Sequence, residues 1–146
     1  GKASVIRGTN LISRLVGWLV GFPPATPSTD VHVGMRQTPK GETWTRRFGR
    51  YTFRSYLAPA RHNASGHVTE RFGLLTFRID LAPSEQDLSF PVSRGDALGL
   101  PLPALLLPVS KTREYVDEAG RACFDVSIAL PLIGQIVGYR GYLVPV

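Results

Sequence analysis

Two residues of opposite charge, Arg46 and Glu70, occupy equivalent positions in two copies of a repeated segment. Alternation along a strand puts Arg46 on one face with Trp44 and Phe48, and it puts Glu70 on the equivalent face with Phe72. If this aromatic face is the core, the two charges are tolerated there only as a pair or with a polar ligand. If the strands instead twist or bulge at the glycines of the repeat, both side chains reach solvent. The first arrangement makes them the floor of a pocket.

A tyrosine near the C-terminus, Tyr139, continues an alternating pattern that runs to Tyr142. Inside a cavity, a tyrosine hydroxyl can donate a proton or polarise a carbonyl group. The alternative is that the ring is buried and the hydroxyl is hydrated, an arrangement that is common in tyrosines without a functional role. We therefore predict a ligand-binding set but assign no catalytic residue. The set comprises Trp44, Arg46, Phe48, Glu70, Phe72 and Tyr139.

The residue spacing does not indicate a metal site, a nucleophilic enzyme or a phosphate-binding loop. His32, His62 and His67 lack the spacing of metal ligands, and Cys123 is the only cysteine, which excludes a zinc site built on thiolates. The sequence contains no nucleophile elbow and no glycine-rich phosphate loop. We therefore predict no metal and no cofactor.

The repeat covers residues 47–59 and 71–83, which are identical at nine of thirteen positions. Each copy has the pattern of a strand, a glycine turn and a second strand, which predicts repeated hairpins at 45–59 and 69–83. Positive charge is concentrated here, because residues 36–78 hold nine Lys or Arg against two Glu. Four arginines fall on the face opposite the aromatic side chains, and we predict that they form a partner surface: Arg47, Arg54, Arg71 and Arg78.

We predict that this surface is solvated, or that it makes an ionic contact with the acidic C-terminal half of the chain or with a partner domain. A nucleic-acid surface would carry exposed stacking aromatics and a more basic chain, so nucleic acid is not the predicted partner. Of the whole chain's net charge of +6, the part outside residues 36–78 contributes −1, with eight basic and nine acidic residues.

The length of 146 residues is typical of one domain, and we treat 1–146 as a single domain. The longest apolar run near the N-terminus, residues 15–22, is far shorter than the roughly 20 residues that span a bilayer, so no transmembrane segment is expected. A single cysteine is typical of a reducing compartment, and the expected location is the cytoplasm.

The pattern predicts a mainly β (α+β) fold in which residues 31–144 form an antiparallel sheet. We expect about eight or nine strands in a strongly curved sheet or β-barrel, because short connections favour antiparallel neighbours and curling hides the edges. A helix is predicted over residues 9–21, with Thr9 as its N-cap and Gly21 as its stop. Its apolar side chains would pack across the sheet or dock on a membrane or partner. A short Pro/Leu helical turn at 104–107 would cover an apolar end of the sheet or line a cavity entrance.

The order of these segments resembles a known family, the bacterial domain of unknown function 4166. The resemblance spans roughly residues 5–144 and implies a domain that stands alone or is fused behind a Rossmann-type oxidoreductase resembling saccharopine dehydrogenase. It implies no established activity and no catalytic residue. The matching segments are Arg7-Gly8, Phe22-Pro23-Pro24, Gly41-Glu42-Thr43-Trp44 with Arg46 and Phe48, Phe53-Arg54-Ser55, Glu70-Arg71-Phe72-Gly73, Leu100-Pro101-Leu102-Pro103 with Leu107-Pro108, Phe124-Asp125-Val126 and Tyr139-Arg140-Gly141.

Three functions follow as hypotheses. The first is binding of a hydrophobic small molecule with an anionic or carbonyl end, in an aromatic-lined cavity whose polar groups are Arg46, Glu70 and Tyr139. The second is a small cofactor-independent barrel enzyme, an isomerase, cyclase or dehydratase, that uses Glu70 or Tyr139 as acid or base. The third is an interaction module that docks on a Rossmann-type oxidoreductase through its arginines.

Overall fold

One antiparallel sheet of fourteen strands dominates the computed structural model, which describes residues 1–59 and 66–145. The strands are, in chain order, β1 (Lys2–Arg7), β2 (Thr26–Thr38), β3 (Gly41–Phe48), β4 (Tyr51–Pro59), β5 (His67–Phe72), β6 (Leu75–Asp80), β7 (Ala82–Pro83), β8 (Asp87–Ser89), β9 (Val92–Ala97), β10 (Leu100–Pro101), β11 (Val109–Ser110), β12 (Arg113–Val116), β13 (Ala122–Leu130) and β14 (Gly134–Leu143). One helix, α1 (Leu11–Val20), and a 3₁₀ turn (Ala104–Leu106) accompany them.

Strand β2 joins two halves of this sheet, since its first part pairs with β1 and its second part, from Val31, pairs with β3. The strand order is β10-β9-β6-β5-β4-β3-β2-β1-β14-β13-β12-β8-β7, with β11 on β13. The sheet curves back on itself, because the rings of Phe48 in β3 and Tyr139 in β14 lie 5.1 Å apart. We call the side that carries these two rings the concave face.

The antiparallel, mainly β class with one helix is confirmed, but the count of eight or nine strands was wrong. Within the described residues the terminal strands β7 and β10 do not pair with each other, so the sheet is open rather than closed into a barrel. The extra strands are β1 and several two- or three-residue strands, most of which include or adjoin prolines that interrupt longer strands.

Both copies of the sequence repeat fold as hairpins, β3–β4 and β5–β6. Their turns begin at Gly49 and Gly73, with φ of 55° and 57°, a conformation that glycine adopts at little cost. The small and polar residues Asn63 to Gly66 predict a further turn, which falls largely outside the described residues, since these resume at Gly66.

Helix α1 packs on the outside of β1 and β14 through its small residues. Asn10, not the predicted Thr9, is the N-cap, and its Oδ1 accepts a hydrogen bond from the Ser13 amide at 2.8 Å. Ser13 and Gly17 are the buried positions of the helix, since only small side chains allow so close an approach to the sheet. The large apolar side chains therefore point outward: Leu11, Ile12, Leu15, Trp18 and Leu19 are all more than half exposed.

The core lies between the two sheet halves and is small. The total accessible surface is 9659 Å², well above the roughly 7,400 Å² expected of a monomer of this mass. Much apolar surface is therefore left uncovered. The buried cluster comprises Ala3, Val5, Val31, Phe48, Phe53, Phe124 and Val137.

The proline-rich segment after β10 does not close this core. It forms a 3₁₀ turn at Ala104–Leu106, in which Leu105 and Leu106 are 58% and 49% exposed. Leu107 instead lines a shallow surface pocket of about 310 Å³ together with residues of β9 and β11.

Candidate functional site

An ion pair between Arg46 and Glu70 lies on the concave face and is bridged by Ser55. Neighbouring strands supply the three residues: β3 carries Arg46, β4 carries Ser55 and β5 carries Glu70. Arg46 Nη2 lies 3.1 Å from Glu70 Oε1, and Arg46 Nη1 donates to Ser55 Oγ at 2.7 Å. Ser55 Oγ in turn donates to Glu70 Oε1 at 2.6 Å. The side chains of Arg46 and Glu70 are only 14% and 11% exposed, so they form a pair and do not extend into solvent.

Two aromatic rings hold the guanidinium of Arg46 in place. Its carbon lies 5.0 Å from the ring centre of Trp44 and 5.6 Å from that of Phe53. Trp44 is itself fixed by a hydrogen bond from Nε1 to Glu42 Oε2 at 2.9 Å. The orientation of Arg46 is therefore set by contacts on several sides.

The opposite sheet half contributes a second carboxyl group, Glu114 of β12, which faces Phe124 of β13 and Leu88 of β8 across the strand pairs. Burial raises the pKa of Glu114, an effect that the positive charge of Arg46 opposes and the negative charge of Glu70 reinforces. Glu114 still keeps exposed surface, which is consistent with a position in an open concavity. The two carboxyl groups therefore differ, since Glu70 has a cationic partner and the pKa of Glu114 is raised.

Tyr139 completes this site from β14. Burial raises its pKa to about 12, with Arg46 opposing the rise and Glu70 and Glu114 adding to it. Its ring contacts Phe48, Phe53 and Phe124 at centroid distances of 5.1, 6.4 and 6.0 Å. We call the five polar residues the Arg46 cluster: Arg46, Ser55, Glu70, Glu114 and Tyr139.

Three groups of the Arg46 cluster have donors or acceptors that form no hydrogen bond with the described residues. Both hydrogen bonds to Glu70 reach Oε1, which leaves Oε2 without a donor among the described residues. Within the same part of the chain, the Glu114 carboxyl and the Tyr139 hydroxyl form no hydrogen bond, yet neither is a fully enclosed unpartnered group. These three groups can accept from or donate to a molecule on the concave face.

Apolar side chains surround the cluster and are only half-buried. They belong to both sheet halves and comprise Val33, Trp44, Leu57, Phe72, Phe77 and Val126. The aromatic rings nearest the floor pack against one another, so the concavity is an open face above a filled core. A separate pocket of about 200 Å³ lies elsewhere, between the Pro23-Pro24 segment and the turn at Gly49.

The structure brings together four of the six residues predicted for ligand binding: Trp44, Arg46, Glu70 and Tyr139. Phe48 is 2% exposed and supports Tyr139 from within the core. Phe72 lies further along the face against Phe77, at a centroid distance of 6.4 Å.

Sequence reasoning missed Ser55 and Glu114. A signal for Glu114 was present, because the turn residues Asp117 to Gly120 separate two alternating stretches and set Glu114 opposite Phe124. Ser55 gave no such signal, since the repeat places Ile79 at its equivalent position.

The four arginines predicted to form a partner surface lie on the other face of β3–β6: Arg47, Arg54, Arg71 and Arg78.

The described residues contain no group of three or more metal-ligating side chains. Of the three histidines, His62 lies outside the described residues. No helix in the described part of the chain is long and apolar enough to span a membrane.

The sequence profile of the family described as Domain of unknown function (DUF4166) matches residues 1–143, and the chain belongs to this family. Neither the curated proteins nor the solved structures contain a significant match. The family match says nothing of a fused oxidoreductase, so that association stays a prediction.

Proposed function

We propose that this domain binds a neutral, apolar small molecule on the concave face of its sheet, with a carbonyl or hydroxyl oxygen of the ligand at the Arg46 cluster. The observation that supports it is the combination of half-buried apolar side chains with polar groups whose hydrogen bonds are unfilled. Binding sites for small molecules have this composition, a mostly apolar lining with a few placed polar groups.

The charges of the cluster favour a neutral ligand over an anionic one. Arg46 and Glu70 cancel each other, and Glu114 adds either no charge or a negative charge. A carboxylate or phosphate would therefore meet no surplus positive charge. A carbonyl oxygen, by contrast, can accept from the Tyr139 hydroxyl, and a ligand hydroxyl can donate to Glu70 Oε2.

The test is a fluorescence titration in a Trp18→Phe background, which leaves Trp44 of the concave face as the only tryptophan. We expect 2-undecanone to change Trp44 emission saturably and undecanoate, its anionic counterpart, to bind much more weakly. Tyr139→Phe removes one hydroxyl but keeps the ring, and it should weaken ketone binding by roughly 2- to 12-fold. Tyr142→Phe, on the opposite face of the same strand, is the matched control. Equal binding of both probes, or equal loss in both variants, refutes the proposal.

The raised pKa of Glu114 favours a second candidate, acid–base catalysis without a cofactor. Two carboxyl groups with different environments on one face are typical of enzymes that donate a proton at one atom and remove one at another. Glu114 would supply a proton to a substrate oxygen and Glu70 Oε2 would accept one from a neighbouring carbon. This keeps Glu70 from the sequence-based hypothesis, in which Glu70 or Tyr139 was the acid or base, and adds Glu114 as the acid. Turnover of a ketone substrate that persists in Glu114→Gln would exclude it.

A further inference from the structure

The outer face of β3–β6 and β9 carries arginines in a straight oblique row. Strand registers define it: Arg54 lies opposite Thr45 and Arg47 lies opposite Thr52, so the two arginines are diagonal neighbours. Arg71 continues the row from β5, since it lies opposite Tyr56, two residues beyond Arg54. We call this set the arginine row: Arg47, Arg54, Arg71, Arg78 and Arg94.

The last two members complete the row on β6 and β9. Arg78 lies opposite Thr69, two residues before Arg71, and Arg94 lies opposite Arg78. Each of the first three steps therefore moves one strand across and two residues along. Such diagonal neighbours have Cα atoms about 7–8 Å apart. The repeat creates this geometry, because Arg47 and Arg71 are equivalent, as are Arg54 and Arg78.

These positive charges are largely uncompensated. Among the described residues, Arg47, Arg54, Arg71 and Arg94 form no ion pair, and all four are exposed. Arg78 is 3.9 Å from Asp80, at the limit of an ion pair. Arg78 and Arg94 face each other directly, an arrangement of like charges that destabilises a sheet. The fold thus carries an electrostatic cost that a bound anion would relieve.

We propose that the arginine row binds an extended acidic segment of a partner protein. Alternate residues of an extended chain project to the same side about 6.7 Å apart, which matches the diagonal spacing of the arginines. Guanidinium groups form paired hydrogen bonds with carboxylates, and threonines such as Thr45, Thr52 and Thr69 lie between them as small polar neighbours. This binding surface lies opposite the concave face and does not rest on the small-molecule proposal.

The composition of the row favours a protein segment over single-stranded nucleic acid. Binding of single strands depends on aromatic rings that stack on bases. Tyr56, the ring within the row, is half-buried and already contacts the Arg71 guanidinium, 5.7 Å from its centre. The row therefore offers charge and hydrogen bonds at a fixed spacing, without a free stacking platform.

Two synthetic peptides of equal charge test the proposal with the intact protein at low salt. One alternates glutamate and threonine, and the other places the same glutamates in a block followed by the threonines. We expect the alternating peptide to bind more tightly, because only its carboxylates match the row, and we expect added salt to weaken it. Arg54→Gln with Arg71→Gln should weaken this binding about tenfold.

The matched control is Arg14→Gln with Lys111→Gln, which removes the same charge from exposed positions off the row. It should change the affinity less than about twofold. Equal affinity for the two peptides overturns the proposal, as does an equal loss in the control. Tighter, row-dependent binding of a thymidine oligonucleotide also overturns it and would identify a nucleic-acid surface instead.

Discussion

Arg46 Nη2 and Glu70 Oε1 lie 3.1 Å apart on strands separated by one intervening strand, although 24 residues divide them in the sequence. They are equivalent positions of the two repeat copies, and they pair obliquely, because Arg46 lies opposite Phe53 and Glu70 lies opposite Leu57 on the strand between them. Ser55 on the strand between them completes the contact. This ion pair is the centre of the proposed binding site.

Breaking one side of the Arg46–Glu70 pair should destabilise the protein. Glu70→Leu leaves a mostly buried guanidinium without its counter-charge, and such changes cost about 3–5 kcal/mol in the free energy of unfolding. The double variant Arg46→Met with Glu70→Leu should recover most of this loss, because no charge then remains buried. Urea unfolding of the wild type, the single variant and the double variant measures both quantities. A single-variant loss below about 1 kcal/mol would mean that the pair behaves as an exposed one.

Glu114 predicts a particular pH dependence of stability. Its folded-state pKa is raised, so ionisation costs native stability, and that cost appears as pH rises from the unfolded value through the folded value. Glu114→Gln should therefore stabilise the protein relative to wild type near pH 8 more than near pH 4. Thermal unfolding at several pH values measures this difference, with Glu118→Gln in the exposed turn as control. A difference between wild type and Glu114→Gln that does not change with pH would contradict the placement of Glu114.

The pKa of Tyr139 should lie well above that of an ordinary tyrosine. Its pKa of about 12 lies above the usual value near 10, so its ionisation removes stability progressively as pH rises through that interval. Absorbance of the tyrosinate form should show one late-titrating group that is missing in Tyr139→Phe. If the same late group persists in that variant, another tyrosine is the buried one.

Gly17→Ala in α1 should destabilise the protein, although alanine normally favours a helix. Alanine is better than glycine in a free helix by about 1 kcal/mol, but a Cβ here would lie 1.8 Å from Arg7 Nη2. Arg7 Nη1 donates to the carbonyls of Phe22 and Pro23 at 2.9 and 3.0 Å, and displacing it would loosen these bonds. Gly17→Ala should therefore lower the free energy of unfolding by about 1–3 kcal/mol.

The matched substitution is Gly34→Ala, where a Cβ meets no atom within 4 Å. It should be neutral or stabilising by up to about 1 kcal/mol, because alanine loses less backbone entropy than glycine in a strand. Thermal unfolding compares the two. Equal effects of both substitutions on the free energy of unfolding would contradict the close packing of the Arg7 side chain against Gly17.

The local patterns of this sequence predicted its antiparallel strands and its single helix well, since alternation and turn residues are local signals. Contacts across the sheet were harder to predict. Whether Arg46 and Glu70 would pair or reach solvent depended on Ser55 between them and on how strongly the sheet curves. Glu114 joins them only because β2 pairs with both β1 and β3, and so connects two distant strand groups that face each other.

Hydrophobicity alone did not determine the orientation of α1, since it allowed packing across the sheet as well as docking on a membrane or partner. It favours burial of Leu11, Leu15 and Trp18, but close packing on β1 and β14 selects the small residues Ser13 and Gly17 for the buried side. The N-cap was misplaced by one residue because Thr9 and Asn10 are both suitable capping residues. Steric fit between elements decides such choices, and a single sequence does not display it.

The most direct test of the concave-face proposal is native mass spectrometry of the protein purified from its own host. Spectra under gentle and denaturing conditions would be compared, and the protein would then be mixed with 2-undecanone. The proposal predicts a neutral, apolar molecule bound under gentle conditions and lost on denaturation, or uptake of the ketone by the empty protein. A bare chain mass in both experiments would contradict it.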